Sequence, residues 1–421
     1  MGLTKLGIRE TAFENCLRKP FATGDSILIL CNFRSIRPRY LLDQETTLSW
    51  LAEAHARAES RKDACIGKSD SEGLSADRIA RLVKRYGCSS EQIAVRGTEI
   101  CDFTHTNWEK MELFHFRDGP FGPSMSQRSA QFSEISRRVC AQFFTPEITA
   151  PDHVVHVTCT GYVSPSSAQE IAAKNNWQQK TVVTHAYHMG CYAALPAVRI
   201  VEGFLAKARL NAGNRSSDYR ADIFHTEVCS LHVQLQDHSP EQLVVQSLFA
   251  DGFIVYSAVH HEEIGRANGA GLRVDALQEE IIPETETAIT WDCSEWGMRM
   301  RLSSIVPEAI SANLVAYMQR LCKRCNVSFE ETCANAVFAV HPGGPKIIDR
   351  IQALLGLRDE QLQASRHILK TCGNMSSATL PHVWENICAD SSVSNGTMVV
   401  SLAFGPGLCI SGALMRKIVN T

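Results

Sequence analysis

Short apolar runs rich in β-branched residues alternate with amphipathic segments along the chain, and this alternation limits the possible folds more than any other feature. Residues 27–31, 153–159 and 398–404 are apolar runs typical of buried strands. Residues 48–58 and 195–205 carry apolar side chains at helical spacing. Interleaved strands and helices predict a layered α/β fold that forms one body. Residues 260–290 are polar, and we expect them to be an excursion from its layers.

Composition and charge narrow the classes of function. The chain has 421 residues, of which 44% are hydrophobic, so a large core can form. Its formal charge of -3 gives no reason to expect a nucleic-acid partner. The sequence has no export signal and no apolar run typical of a membrane span. We therefore expect a cytosolic protein whose 16 cysteines are mostly reduced thiols.

Three polar residues stand in turns beside apolar segments. Cys191 follows Gly190 where a loop enters a helix, His341 opens the run His-Pro-Gly-Gly-Pro, and Asn374 lies in Cys-Gly-Asn-Met-Ser-Ser. A helix N-terminus and a nearby imidazole favour the thiolate of a cysteine. An imidazole and an amide together can donate hydrogen bonds to an oxyanion or enolate. This set is suited to acyl transfer followed by carbon–carbon bond formation.

The motifs around these residues resemble those of the type III polyketide synthases, the chalcone and stilbene synthase family. The resemblance rests on six segments between residues 150 and 415 in the family's order: Thr-Cys-Thr-Gly-Tyr-Val-Ser-Pro from 158, Gly-Cys-Tyr-Ala from 190, Leu-Phe-Ala-Asp-Gly from 248, His-Pro-Gly-Gly-Pro from 341, Gly-Asn-Met-Ser-Ser-Ala from 373 and Phe-Gly-Pro-Gly-Leu from 404. The first 110 residues match only loosely.

The resemblance implies a thiolase-like, five-layered αβαβα fold in a homodimer, with two pseudo-symmetric halves at residues 1–265 and 266–421. It implies that Cys191 accepts the acyl group and that His341 and Asn374 polarise the thioester and stabilise the enolate. It also implies a cavity lined by gatekeeper, wall and floor positions: Phe249, Met300, Trp291, Ser376, Gly405 and Pro406. The thioester supplies both activation and leaving group, so no metal or redox cofactor is expected.

Departures from the plant-type pattern favour a specialised subgroup. The segment that carries a basic clamp for coenzyme A phosphates offers Arg96 here, but also Glu99 and Asp102, and opposed charges would weaken such a clamp. Met300 replaces a gatekeeper aromatic, and Trp291 stands where a cavity glycine is usual, so it would fill space used for elongation. We therefore expect carrier-protein-bound substrates and a reaction that joins two β-ketoacyl chains with release of an α-pyrone, as in myxopyronin and corallopyronin assembly. The alternative is iterative extension of an acyl-coenzyme A starter with malonyl-coenzyme A.

Other interpretations of these residues stay open. The spacing of His185, His188 and Cys191 imitates a metal site, but no fourth ligand is indicated. Cys322 and Cys325 form a lone CxxC pair, for which half-buried thiols are the simpler explanation. Glu227 matches a cavity-edge carboxylate of the family and could tune a base or be purely structural. A scaffold without catalysis and a metal-binding regulator are the competing classes of protein.

Overall fold

The computed structural model describes residues 28–66, 74–116, 122–212, 218–260 and 269–419. Its strands are β1 (Leu28–Ile36), β2 (Tyr40–Asp43), β3 (Val95–Thr98), β4 (His153–Thr158), β5 (Val182–Tyr187), β6 (Arg220–Glu227), β7 (Gly252–His260), β8 (Ala270–Ile281), β9 (Ile289–Ser294), β10 (Gly297–Leu302), β11 (Val337–Val340), β12 (Met398–Gly405) and β13 (Cys409–Val419).

The α-helices of the described residues mostly begin where the sequence supplies a cap or an early proline. They are α1 (Gln44–Ile66), α2 (Ala76–Tyr86), α3 (Met125–Phe143), α4 (Ser167–Lys174), α5 (Ala194–Ala212), α6 (Pro240–Leu248), α7 (Val306–Arg324), α8 (Phe329–Asn335), α9 (Pro345–Leu355), α10 (Gln363–Cys372) and α11 (Thr379–Ala389). Ser124 and Ser166 form capping boxes at α3 and α4. Pro240 and Pro345 occupy the first turns of α6 and α9, where a missing N–H costs nothing.

Within the described residues, one sheet of nine strands runs in the order β11-β12-β13-β8-β1-β7-β6-β4-β5. Strand β4 pairs in parallel with β5 and β6, and β11 pairs in parallel with β12, while the other neighbours are antiparallel. The strands from β1 to β5 in this order come before residue 265, and the other four follow it. The two groups meet where Ile29 and Leu30 of β1 pair with β8.

Helices cover both faces of this sheet. Val155 and Val157 of β4 pack on the central helices α5 and α11, whereas Val154 faces α3 and α4 on the outside. In β12, Val399 faces the central helices and Val400 faces α7 and α9. Strands buried on both faces explain the continuous apolar runs in the sequence. Both parts of the sheet pack on the same central helices, and each part carries further helices on its other face, which is the predicted αβαβα layering.

The expectation for residues 260–290 is wrong in its central part. His260 ends β7 and is buried, and β8 lies in the middle of the large sheet. Alternate residues such as Leu272 are buried, while Asp275 forms ion pairs with Arg273 and with Arg416 of the neighbouring strand. Mutual neutralisation of these charges lets a polar sequence lie within the sheet. Residues 261–268 fall outside the described residues.

We find no helix among the described ranges with the length and apolar content needed to cross a bilayer.

Candidate active site

Strands from both parts of the sheet end at one cavity with a volume of about 890 Å³. The structure places every predicted site residue on its lining: Cys191, His341, Asn374, Phe249, Met300, Trp291, Ser376, Gly405 and Pro406. Since these residues come from segments up to 215 residues apart in the sequence, only the fold brings them together. Several convergent polar groups in a large, mainly apolar cavity are typical of a ligand or active site.

Cys191 lies in the tight connection between β5 and α5. Gly190 before it has a φ of +82°, which favours glycine, and a Cβ there would lie 2.5 Å from Cδ of Pro406. The thiol of Cys191 donates a weak hydrogen bond to Oγ of Ser376 at 3.8 Å. The connection therefore holds the thiol at the entry to a helix and aims it into the cavity.

His341 follows β11 directly. Its backbone N–H donates to the carbonyl oxygen of Leu402 in β12 at 2.8 Å, so the sheet register fixes its position. The side chain is 2% exposed. Its two ring nitrogens have no hydrogen-bond partner among the described residues, although both are buried. A buried imidazole on a cavity wall with both nitrogens free is ready to bind a polar ligand group.

The orientation of the Asn374 amide follows from its neighbours. Its Oδ1 accepts the backbone N–H of Ser376 at 2.9 Å and the hydroxyl of Thr379 at 3.3 Å. Because a backbone N–H requires an acceptor, this contact assigns the amide oxygen. Nδ2 then points toward the turn after His341, 3.5 Å from the carbonyl oxygen of Gly343. The amide can thus donate a hydrogen bond on the side of the imidazole.

The ionisation of the thiol differs from the expectation of a resting thiolate. Burial raises the pKa of Cys191 to about 12, and the hydrogen bond between Cys191 and Ser376 opposes this shift. Burial also lowers the pKa of His341 to about 3. The desolvation of both charged forms outweighs the helix N-terminus. Both shifts favour the neutral thiol and the neutral imidazole at pH 7.

The hairpin β9–β10 covers the cavity. Trp291 and Met300 are cross-strand partners in it, and both line the cavity. Nε1 of Trp291 donates to the carbonyl oxygen of Cys159 at 2.7 Å, and Nε2 of Gln242 donates to that of Met300 at 2.5 Å. The cavity remains large although Trp291 stands at its wall.

The floor loop between β12 and β13 packs directly on the segment that carries Cys191. A Cβ on Gly405 would lie 2.0 Å from Cδ1 of Tyr192, so only glycine fits there. A glycine on a cavity floor could serve a close approach of the backbone to bound ligand. The structure instead shows that the ring of Tyr192 occupies the space, while Pro406 contacts Gly190.

Arg96 is not available to a phosphate on the surface. The residue is 6% exposed, and its guanidinium donates to Oε1 of Gln44 and to the carbonyl oxygens of Gln246 and Phe249. The buried Glu99 forms an ion pair with the half-buried Arg138, and Asp102 accepts three backbone N–H groups. The opposed charges in this segment are therefore internal supports, which the sequence alone did not reveal.

Glu227 is a structural carboxylate by its contacts. It accepts hydrogen bonds from the backbone N–H of Cys159 and the hydroxyls of Thr160 and Ser377, and it is fully buried. It does not line the cavity of the described residues. Burial raises the pKa of Glu227 to about 7. Its bonds tie the end of β4 to the segment after Asn374.

Besides Cys88, two further thiols, Cys159 and Cys229, line the cavity, and no sequence pattern was taken to mark them as site residues. Cys159 directly follows β4, and its sulfur accepts the backbone N–H of Gly190 at 3.0 Å. Burial raises the pKa of both thiols well above the ordinary value. A position directly after a buried strand was the signal that could have pointed to Cys159.

The alternative metal sites do not assemble. Across the ranges that the structure covers, no group of three or more His, Cys, Asp or Glu side chains is placed to hold a metal ion. His185 and His188 are exposed, and Nε2 of His185 contacts Oγ of Ser166 at 2.9 Å. Cys322 is buried and Cys325 half-buried at the end of α7, and neither lines the cavity.

Comparison with known proteins identifies relatives of the chain. A sequence profile described as chalcone and stilbene synthases, C-terminal domain, matches residues 273–419. "Type III polyketide synthase C" of Arabidopsis thaliana is 26% identical over 286 residues, which cover 66% of this chain and 71% of that protein. "Probable polyketide synthase 1" of Dictyostelium discoideum is 30% identical over 269 residues, 63% of this chain. The matched region makes up only 8% of the Dictyostelium protein.

A solved structure has a fold similar to that of this chain. The C-terminal type III polyketide synthase domain of Steely1, a type I/III hybrid from Dictyostelium, superposes with a TM-score of 0.73 at 20% identity. The match covers 93% of this chain and all of that domain. The chain has the thiolase-like fold of these proteins and is related to the type III polyketide synthases. The names of both sequence relatives are those of polyketide synthases.

Proposed function

We propose that this protein is a ketosynthase that joins two β-ketoacyl thioesters by a Claisen-type condensation in polyketide biosynthesis and releases an α-pyrone. The observation that carries the proposal is the meeting of Cys191, His341 and Asn374 on the wall of one cavity. The relationship to polyketide synthases supports the same reaction class.

In the first step, the sulfur of Cys191 attacks the carbonyl carbon of the first thioester while the thiol proton moves to His341. Proton transfer is coupled to attack because both groups are neutral beforehand. Nδ2 of Asn374 donates to the oxyanion that forms. The carbon–sulfur bond to the carrier breaks, and the imidazolium returns its proton to the leaving thiolate. His341 is neutral again, and the acyl group is bound to Cys191.

In the second step, the α-carbon between the two carbonyls of the second chain loses a proton to His341. Asn374 donates to the enolate oxygen, and the enolate carbon attacks the thioester on Cys191. A carbon–carbon bond forms, and the sulfur of Cys191 leaves and takes the proton from His341. An enol oxygen of the joined chain then attacks the remaining thioester carbonyl, which closes the lactone and releases the second carrier thiol.

The size of the cavity supports a substrate pair. Its volume of about 890 Å³ lies near the upper end of the roughly 300–1,000 Å³ of small-molecule sites. The same volume favours a second candidate, iterative extension of an acyl-coenzyme A starter with malonyl-coenzyme A, because a growing chain needs comparable room.

The mouth of the cavity supports delivery by an anionic carrier. Helix α2 exposes Arg78, Arg81, Lys84 and Arg85 on one short element, and Arg85 lines the cavity. Clustered cations attract an acidic partner and orient its approach. With Arg96 buried, we favour acyl carrier protein over free coenzyme A. The proposal includes a cytosolic homodimer that uses no metal or redox cofactor.

Intact-mass analysis after incubation with β-ketoacyl groups on carrier protein or on coenzyme A tests this function. We expect one acyl adduct on the wild type, none on Cys191→Ala, and an α-pyrone when two β-ketoacyl carrier proteins are supplied. Cys322→Ala is the matched control, because its thiol is buried away from the cavity. Rapid product formation from malonyl-coenzyme A as the only extender would favour the iterative reaction instead. Bound zinc without acylation would indicate the metal-binding class.

A further inference from the structure

The C-terminal end of α6 is joined to the proposed active-site amide. The last four carbonyl groups of a helix have no partner within the helix and must be satisfied from outside. That of Val245 accepts the backbone N–H of Phe249 at 3.2 Å, and that of Leu248 accepts the backbone N–H of Asn374 at 2.9 Å. The carbonyl oxygen of Asn374 in turn accepts the N–H of Ala250 at 2.8 Å. The backbone of Asn374 is therefore hydrogen-bonded on both sides to the end of this helix.

Two buried side chains satisfy the remaining carbonyl groups. Nη1 of Arg96 donates to the carbonyl oxygen of Gln246 at 2.7 Å and to that of Phe249 at 2.8 Å. Nε2 of Gln44 donates to the carbonyl oxygen of Ser247 at 2.9 Å. Nε of Arg96 donates to Oε1 of Gln44 at 2.8 Å, which orients both side chains together. We call Arg96 and Gln44 the α6 clamp.

The charge of the clamp suits its location. A helix C-terminus carries partial negative charge, so a guanidinium there is stabilised. Gln44 is fully buried, and burial lowers the pKa of Arg96 to about 10, which leaves it cationic at neutral pH. The guanidinium also presents its donors in a rigid planar fork, whereas an ammonium is a point charge on a flexible stem. Burial of a cation carries a desolvation penalty, and here three hydrogen bonds from Nε and Nη1 of Arg96 offset it.

We infer that Arg96, oriented by Gln44, is a positioning residue for the condensation: it fixes the end of α6 and through it Asn374 and the gatekeeper Phe249. This inference rests on the proposed function, since it assigns Asn374 its role. Arg96 lies on the cavity lining, and its Nη2 has no hydrogen-bond partner among the described residues. Its Nε and Nη1 donate to Gln44 and to the end of α6, so the positioning role does not require contact with substrate. Displacement of a catalytic group by about 1 Å can cost about 100-fold in rate.

A double-mutant cycle tests the inference. We expect Arg96→Gln to lower the condensation rate by about 100-fold. The final extent of acyl loading on Cys191 and the KM should change much less, because the thiol itself is not displaced. Asn374→Ala should lower the same rate, and the double variant should be no slower than Asn374→Ala alone. Arg96→Lys, which keeps the charge but loses the planar fork, should lie between wild type and Arg96→Gln.

Arg128 provides the matched control. It is also a buried arginine, and it donates to the carbonyl oxygens of Pro123, Leu231 and Val233, with no bond to the end of α6. We expect Arg128→Gln to combine multiplicatively with Asn374→Ala. If Arg96→Gln fails to fold, Gln44→Met is measured in the same cycle, since it removes the partner that orients Arg96.

The outcomes separate the two proposals. Multiplicative loss in the Arg96 cycle, or an unchanged condensation rate in Arg96→Gln, would overturn the positioning role while leaving the ketosynthase intact. Full activity of both Cys191→Ala and Asn374→Ala would instead refute the proposed function, whatever the behaviour of Arg96.

Discussion

The wall of the cavity and the hairpin that covers it are built in different ways. On the wall, His341 and Asn374 are at most 2% exposed, and their backbones are bonded to β12 and α6. The hairpin β9–β10 is a separate two-stranded sheet, and residues 292–295 at its turn are exposed. It is attached to the body by hydrogen bonds such as that from Trp291 to Cys159, by the ion pair between Arg299 and Asp237, and by the buried side chains of Ile289 and Met298.

This difference separates chemistry from selectivity. Groups held by the large sheet keep a fixed geometry, which a transition state requires. A small sheet at the edge can change its side chains without disturbing that geometry. We therefore expect substitutions on the wall to change the rate and substitutions on the hairpin to change the choice of chain.

The largest effect is expected on the wall itself. Cys191→Ala should abolish acyl loading, and Asn374→Ala should lower the condensation rate by about 10²–10³-fold, as for the loss of one oxyanion donor. Steady-state rates and intact mass measure both. Loading of Asn374→Ala at the wild-type extent is the control for an intact fold. Condensation at the wild-type rate in either variant would contradict the assignment of the wall.

Gly405 tests whether the floor is as rigid as the packing indicates. Gly405→Ala places a methyl group 2.0 Å from the ring of Tyr192, and overpacking of this kind costs about 1–3 kcal/mol. Chemical denaturation should show this loss together with lower activity. Gly396→Ala is a control for an added methyl group, because a Cβ there meets no atom within 4 Å, although its positive φ of 83° adds backbone strain. A Gly405→Ala variant with wild-type stability and activity would show that the floor loop or Tyr192 can shift to accept the methyl group.

A substitution on the hairpin should change which length of acyl chain the enzyme prefers. Trp291→Ala enlarges the cavity and removes the bond to Cys159, while the wall residues keep their positions. We expect longer acyl chains to gain about 10-fold in relative kcat/KM, in line with the value of a few methylene groups in a pocket. Competition between short and long thioesters measures the ratio. An equal loss of kcat/KM for short and long acyl chains would contradict the selectivity role and would assign Trp291 a role in the rate, like the wall residues.

The smallest effect concerns the pH dependence of stability. The carboxyl of Glu227 has a pKa of about 7 in the folded protein but ionises near 4.5 when unfolded. Between these values the folded carboxyl binds more protons than the unfolded one, so Glu227 contributes a fall in the free energy of unfolding as the pH rises. Burial also raises the pKa of Asp251 to about 7, which acts in the same direction, whereas buried histidines such as His341 have lowered pKa values and act in the opposite direction. Glu227→Gln should remove only the contribution of Glu227, so the slope of the free energy of unfolding against pH should become more positive than in the wild type. Denaturation at pH 5, 6 and 7 measures the slope, and identical slopes would contradict the prediction.

Much of the layout followed from local patterns in the sequence. Apolar runs located β4 and β12, and helical spacing located α5 with Pro196 in its first turn. Turn residues marked Cys191, His341 and Asn374, since strands and helices bring their connections to a common edge. These features depend on neighbours in sequence, which can be read without the fold.

The missed features depend on distant partners. Strand β8 looked like a loop because the ion pair between Asp275 and Arg416 spans 141 residues. Arg96 looked like a surface cation because its acceptors lie about 150 residues later. The neutral state of Cys191 comes from desolvation by the assembled cavity. None of these partners is close enough in sequence to leave a local pattern.

The place of β1 has a consequence for how the protein matures. This strand is made early, yet both of its sheet neighbours, β7 and β8, lie more than 210 residues further along the chain. Contacts of such long range close large loops and slow the search for the native state. On a ribosome, the strand would leave the exit tunnel long before either neighbour is synthesised. The backbone hydrogen-bonding groups along both of its edges would stay unpaired until then. Shielding of the unpaired edges of β1 from aggregation during synthesis should therefore raise the yield of folded protein.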